Sequence, residues 1–409
     1  MTLKGRFARV AGAGIAFQGG SAAIDSATIM SALVFQLTGN TVMVGAATAI
    51  LRFGWLFPQL IVGFLAQRGG SSMAYYVIGA FGRALCMALM ALVLYVGSGW
   101  SAFTLSLFVM IIWTAYAFIS GIVAVPYNDI VARSVPSELR SRLLATRFFG
   151  GGVLALGVAW IADRTVAAFA FPLSYAAIVA MASVLMFLSS GIFTVMGEPE
   201  AAAEVPQKPS FFQYLKDGVG VFKTDLKFRR FVYAQWCGGA VLMAMPFYVV
   251  QAAASGIDLK AVAILLGAQT AGALVSNALW GWWGDHFGKV SLLRGIAMGR
   301  ILPPALIVLL ALTQLFAAAQ MFYFFVGIFF VLGALANGLT IAVIGFLMEI
   351  SPDKLRPAYS GYFNAITAPA FLLPLLAGII AAISGLVTVF AISMTAAALQ
   401  TYFLMRIEE

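Results

Sequence analysis

Gly63-Phe-Leu-Ala-Gln67-Arg68-Gly-Gly70 and Gly281-Trp-Trp-Gly-Asp285-His286-Phe-Gly288-Lys289 are two versions of one segment, 218 residues apart. Each leaves a long apolar run through glycine, makes a short charged turn and enters another apolar run. Pro136-Ser-Glu-Leu-Arg140 returns as Pro352-Asp-Lys-Leu-Arg356 at an offset of 216. Gly82-Arg83 returns as Gly299-Arg300, and Gln18 as Gln235, both at 217. Four anchors on successive apolar runs at a nearly constant offset define a duplicated unit. In the quoted segments the glycines let helix ends approach closely, and a carboxylate can cap a helix or pair with an arginine.

The composition says what surrounds these units. Hydrophobic residues make up 62% of the 409 and charged residues only 10%, where a soluble domain carries about a quarter. Lipid is therefore the main solvent. A crossing takes about 20 apolar residues, and the chain divides into twelve: approximately 8–37, 41–66, 73–97, 101–131, 142–163, 172–196, 229–254, 259–284, 290–314, 318–348, 358–383 and 385–405. The basic segment Met1 to Arg9 is followed by an apolar run too long for a cleaved leader, and it reads as the approach to the first span. The net charge of +9 calls for no nucleic acid, because its distribution accounts for it. Lys4, Arg6, Arg9, Arg68, Arg133, Arg140, Arg142, the cluster from Lys208 to Arg230, Lys289, Lys354, Arg356 and Arg406 share one side; Arg164 and Lys260 stand on the other. The positive-inside rule then places both termini in the cytoplasm of a bacterial-type inner membrane.

One long polar stretch, 197–227, divides the spans six and six. The expected organisation is an N-terminal bundle over 1–196, a linker over 197–228 and a C-terminal bundle over 229–409. Within the linker Phe211, Phe212, Leu215, Val219 and Phe222 recur at helical spacing opposite Gln213, Lys216, Asp217 and Lys223. That pattern predicts an amphipathic helix on the cytoplasmic interface.

The repeated loop resembles the signature of the major facilitator superfamily, a Gly-x-Leu-Ala-Asp-Arg-x-Gly-Arg-Lys type turn between helices two and three that is echoed between eight and nine. Gly281, Asp285, Gly288 and Lys289 follow it; Gly63 does too, but Gln67 stands where the family has aspartate. The resemblance runs the length of the chain. It implies an all-α polytopic fold of twelve transmembrane helices in two pseudo-symmetric six-helix bundles, and secondary transport by alternating access. Arg52, Gly63, Asp129 and Arg147-Phe-Phe distantly resemble the glycoside–pentoside–hexuronide cation symporters, although Trp55 and Gln59 occupy places where that group puts sodium-site carboxylates. The fifth span, Arg147-Phe-Phe-Gly150-Gly-Gly152, lacks the Gly-Pro motif of many drug/proton antiporters.

An ionisable side chain in mid-membrane costs roughly 2.5–3.5 kcal/mol on insertion scales and needs a reason. Asp25 is central in the first span, and its repeat position is Leu242. It is a candidate proton site or substrate-amine contact, or else the partner of a buried arginine. Arg52, with Gln269 as its counterpart, offers a planar fork for carboxylate, phosphate or sulfate, or an internal partner for Asp25. Asp129 and Arg133 are spaced to pair on one helix face; Arg147, whose counterpart is Asn364, is a candidate substrate contact or a cytoplasmic gate closed against Asp129. The recurring Arg83 and Arg300 fall on helices three and nine, peripheral in the family fold, and are expected to tie those helices to neighbouring carbonyls. Gln18, Gln235, Gln269 and Asn364 are polar candidates for a central cavity.

Several function classes are excluded. The single histidine, His286, and the cysteines Cys86 and Cys237 on separate spans give no metal set and no disulfide framework. No Walker A motif and no enzyme signature are present, and no cofactor is implied. The expectation is a monomeric secondary transporter, not an enzyme, for a small anionic or zwitterionic organic solute, with a proton as coupling ion. The alternatives are a drug, amphiphile or lipid exporter of the same fold, or a non-transporting assembly factor or receptor.

Overall fold

The structure, a computed structural model, describes residues 2–66, 71–197, 211–313, 318–351 and 356–407. Among them every regular element is helical. The helices are α1 (Leu3–Ala22), α2 (Ile29–Thr38), α3 (Thr41–Ala66), α4 (Ser72–Val96), α5 (Ala102–Ser134), α6 (Ser137–Ala168), α7 (Leu173–Thr194), α8 (Phe211–Thr224) and α9 (Leu226–Leu242). They continue as α10 (Phe247–Ala254), α11 (Val262–His286), α12 (Gly288–Gly299), α13 (Leu302–Thr313), α14 (Ala318–Ile350), α15 (Arg356–Thr367), α16 (Leu373–Ser384) and α17 (Leu386–Met405).

Ten stretches of the described residues are long and apolar enough to cross a membrane. The remaining two crossings are broken helices, α1 with α2 and α15 with α16. Helix breaks have local causes. Between α1 and α2 the carboxylate of Asp25 accepts hydrogen bonds from the backbone N–H groups of Ala27 and Thr28, at 3.1 and 2.9 Å, and from the Thr28 hydroxyl at 2.8 Å. It thus satisfies donors at the start of α2 that the interrupted ladder leaves over. At the corresponding point of the second half α9 stops at Leu242 and α10 resumes at Phe247, behind Pro246, with no acid. The discontinuity recurs although the residue causing it does not. Asp25 therefore stands in a break, not inside a continuous helix as its apolar surroundings predict.

The chain packs as two compact units, one of Met1–Ala202 with Pro246–Thr270, the other of Ala203–Met245 with Ala271–Glu409. The chain passes between them at the α9–α10 break and within α11. In the first unit α4 packs on α5 and α7, and α1 on α6 and α7. Buried hydroxyls and an indole tie these helices to carbonyls: Ser189 Oγ donates to Ala13 at 2.8 Å, Ser183 Oγ to Ala84 at 2.9 Å and Trp113 Nε1 to Ala47 at 2.8 Å. Such bonds replace the hydrophobic drive that lipid does not supply.

The second unit uses the same devices. Trp280 Nε1 donates to Ala334 at 2.8 Å, Ser393 Oγ to Val241 at 3.1 Å, and Phe231 stacks on Phe363 at 5.0 Å. The amphipathic α8 forms where its spacing predicts and belongs to this unit. Gly218 sits against the Tyr362 ring, and Phe222 meets Tyr233 edge-on at 5.7 Å. Large apolar side chains such as Phe103, Leu312 and Ile383 are more than three-quarters exposed, as a lipid-facing surface requires.

Candidate functional site

Six helices of the first unit, α1 and α3 to α7, surround a cavity of about 210 Å³. Its wall combines aromatic and small residues, among them Phe17, Trp55, Tyr76 and Ala124, with polar ones, Ser120, Tyr127, Asn128, Arg83 and Arg147. Local sequence explains how a long cation fits. Gly14 on α1 faces Arg147, and a Cβ there would stand 2.5 Å from Arg147 Cδ. The bare backbone is what lets the arginine stem lie along α1. Its head then reaches α5, where Nη1 donates to the Tyr127 hydroxyl at 3.1 Å and Cζ lies 5.3 Å from the ring centroid. Tyr127 in turn belongs to a cluster in which Phe193 lies 4.3 Å from Tyr76 and 5.2 Å from Tyr127, centroid to centroid.

Arg83 departs from its expected role. It is 5% exposed, its Cζ lies 4.0 Å over the Phe17 ring, and its Nε is enclosed without an acceptor. Arg300, its repeat counterpart, does tie helices: it donates to Gln400 Oε1 at 2.8 Å and to the Gly238 carbonyl at 3.0 Å. One sequence position thus serves packing in the second unit and lines a cavity in the first. Sequence reasoning assigned Arg83 a helix-tying role and did not single out Tyr76 or Tyr127. Tyr76 and Arg83 are seven residues apart, two turns along one face of α4, a signal that was available, but nothing local shows that this face looks inward.

The remaining candidates separate by location. Asp129 pairs with Arg133 at 2.5 Å and accepts from Ser72 Oγ at 2.7 Å, which ties the end of α5 to the start of α4. Arg147 bonds instead to the Tyr127 hydroxyl, while Asp129 is engaged by Arg133 and Ser72. Asp25 and Arg52 attract each other electrostatically, but neither lines this cavity. Gln18 packs against Gly151 of α6. Gln235 Nε2 and Gln269 Oε1 are buried without hydrogen-bond partners, in the second and the first unit respectively, and Asn364 on α15 is exposed. Of the loop signature, Gly281 lies in α11, and Gly288 opens α12 with φ of +81°, a conformation that favours glycine. Lys289 lines a separate crevice of the second unit with Asp225 and Glu349. Asp285 falls in α11 and Gly63 in α3, while Gln67 lies outside the described residues. Cys86 and Cys237 are free thiols.

No protein-family model matches the sequence, and no curated protein matches it significantly. Solved structures do match. A point mutant of the nucleoside transporter NupG is similar at a TM-score of 0.73 and 13% identity, with all of both chains covered. A D-xylose-proton symporter is similar at 0.73 and 14% identity, over 100% of this chain and 98% of that one. An auto-inhibited POT family peptide transporter is similar at 0.72 and 9% identity, over 99% and 97%. At such identities the likeness defines the fold. The chain has the twelve-helix major facilitator fold, shared by membrane transporters of unlike substrates.

Proposed function

We propose that this protein is a secondary transporter that carries a small anionic or zwitterionic organic solute across a bacterial-type inner membrane by alternating access, with both termini cytoplasmic. The observation that carries the reading is the cavity lined by Arg83 and Arg147 inside a membrane-spanning unit. A buried arginine such as Arg83 is costly to keep in a lipid-embedded fold, and a second, partly buried one at the same cavity favours a role in binding over one in packing. The solved structures of this fold named above are transporters of a nucleoside, a sugar and peptides, which supports the class and leaves the solute to the cavity. Proton coupling is assigned to Asp25. Its carboxylate holds the start of α2 and attracts Arg52, so protonation would loosen both contacts at a point where the helix is already broken.

The test is reconstitution of the purified chain in liposomes, with uptake of labelled organic acids, amino acids and sugars followed under an imposed pH gradient. Saturable uptake of an acid or zwitterion, reduced by Arg147→Gln, is expected. A chain that moves no solute in either direction, with or without a gradient, is not a transporter.

A further inference from the structure

The first unit holds two guanidiniums beside one cavity, that of Arg83 buried and that of Arg147 partly buried, and no described residue lining the cavity supplies a counter-charge. The Nε atoms of Arg83 and Arg147 are both shut in without an acceptor. Arg83 lies over an aromatic face, and Arg147 has a neutral phenol as its hydrogen-bond partner. The acids nearby are otherwise engaged: Asp129 with Arg133 and Ser72, Asp25 with the start of α2 and with Arg52. Among the described residues that line the cavity there is no carboxylate. A guanidinium stays protonated at any physiological pH, so the cavity holds two positive charges, near enough to repel each other. Charge buried without compensation is unfavourable, and an occupant carrying two negative charges would compensate both at once. The fork of each guanidinium matches the paired oxygens of a carboxylate or phosphate.

We propose that Arg83 and Arg147 form a two-guanidinium site for a compact organic dianion, a dicarboxylate or a phosphate monoester, held in the first unit against Phe17, Tyr76 and Tyr127. The assignment rests on the reading of the chain as a carrier of anionic solutes and narrows it. A neutral solute would leave both charges uncompensated and a monoanion would leave one, so the ranking by charge is the signature of the site. Arg300 makes no second copy, because its two bonds to Gln400 and Gly238 already engage its head.

Calorimetric titration of the purified full-length protein with succinate, phenyl phosphate, benzoate and benzyl alcohol tests this. One of the two dianions should bind at least tenfold more tightly than benzoate, and which one separates dicarboxylate from phosphate recognition. Arg83→Gln and Arg147→Gln should each weaken that binding at least tenfold. The Lys replacements should fall between, since they keep the charge and lose the fork. The melting temperature of ligand-free Arg83→Gln should fall less than that of Arg300→Gln, because Arg83 gives up only its contact with the Phe17 ring whereas Arg300 gives up two hydrogen bonds. An equal or larger fall would mark Arg83 as a packing residue. Benzoate or benzyl alcohol binding as well as both dianions, or dianion affinity unchanged in the Gln variants, overturns the site. If the Gln variants do not fold, unchanged affinity in both Lys variants does the same. Liposome uptake keeps the two readings apart. Dianion binding without flux leaves the site and removes the transporter, whereas saturable uptake of a neutral sugar, unaffected in Arg83→Lys, leaves the transporter and removes the site.

Discussion

Arg83 and Arg300 show how little a residue's type says about its task. Both follow glycine, both recur at the same point of the repeat, and both are 5% exposed. What differs is the supply of acceptors. Arg300 finds an amide oxygen and a backbone carbonyl at hydrogen-bonding distance, while Arg83 finds an aromatic face. A hydrogen bond to a charged group contributes about 1.5–3 kcal/mol. Arg300→Met removes two of them and leaves Gln400 Oε1 and the Gly238 carbonyl without their donor. The expected loss is about 3 kcal/mol of stability, read as a lower melting temperature in detergent. An unchanged melting temperature would mean that the head of Arg300 stabilises nothing.

At the scale of elements, small residues set how closely helices approach, and breaks set where polar groups can stand. Gly272 of α11 faces the backbone of α14, and a Cβ there would lie 1.9 Å from the Phe330 carbonyl oxygen. Backbone cannot rotate away as a side chain can, so the two helices would have to separate. Overpacking of this kind costs about 1–3 kcal/mol, sometimes more, and Gly272→Ala is expected to reach the upper end, seen as a reduced yield of monodisperse protein and a lower melting temperature. Gly54 and Gly121 make the same kind of contact between α3 and α5, where a Cβ at Gly121 would stand 2.7 Å from the Gly54 carbonyl oxygen. The breaks follow a similar logic. Asp25 and Pro246 interrupt equivalent crossings by different chemistry, a side-chain cap in one and a missing donor in the other.

For the whole molecule, the proposed coupling requires a solute gradient and an ion gradient to act on one conformational equilibrium, so it would belong to no single helix. Asp25 is the acid proposed to link them. Asp25→Asn keeps a side-chain oxygen that can accept from Ala27 and Thr28, so α2 should still form. What it removes is the negative charge that attracts Arg52 and the capacity to take up a proton. Uphill uptake driven by a pH gradient should therefore disappear, while exchange between equal solute pools persists at no less than about a third of the parental rate. Concentrative uptake equal to the parent's would show that the proton is carried elsewhere.

The twelve crossings, the duplication and the helix α8 were all legible in the amino-acid order. Each depends on local quantities: apolar run length, a constant offset, and a 3.6-residue period. The pairing of Asp129 with Arg133 was legible for the same reason, since one helical turn fixes their separation. The cavity was not. Which face of α4 looks inward, that Arg147 reaches Tyr127 past a bare stretch of α1 at Gly14, and that Arg83 lacks the acceptors its counterpart enjoys are decided by helices distant in the chain. A helix records its own periodicity in sequence, but the polarity of the surface it packs against belongs to its neighbours, and only the folded unit brings the two together.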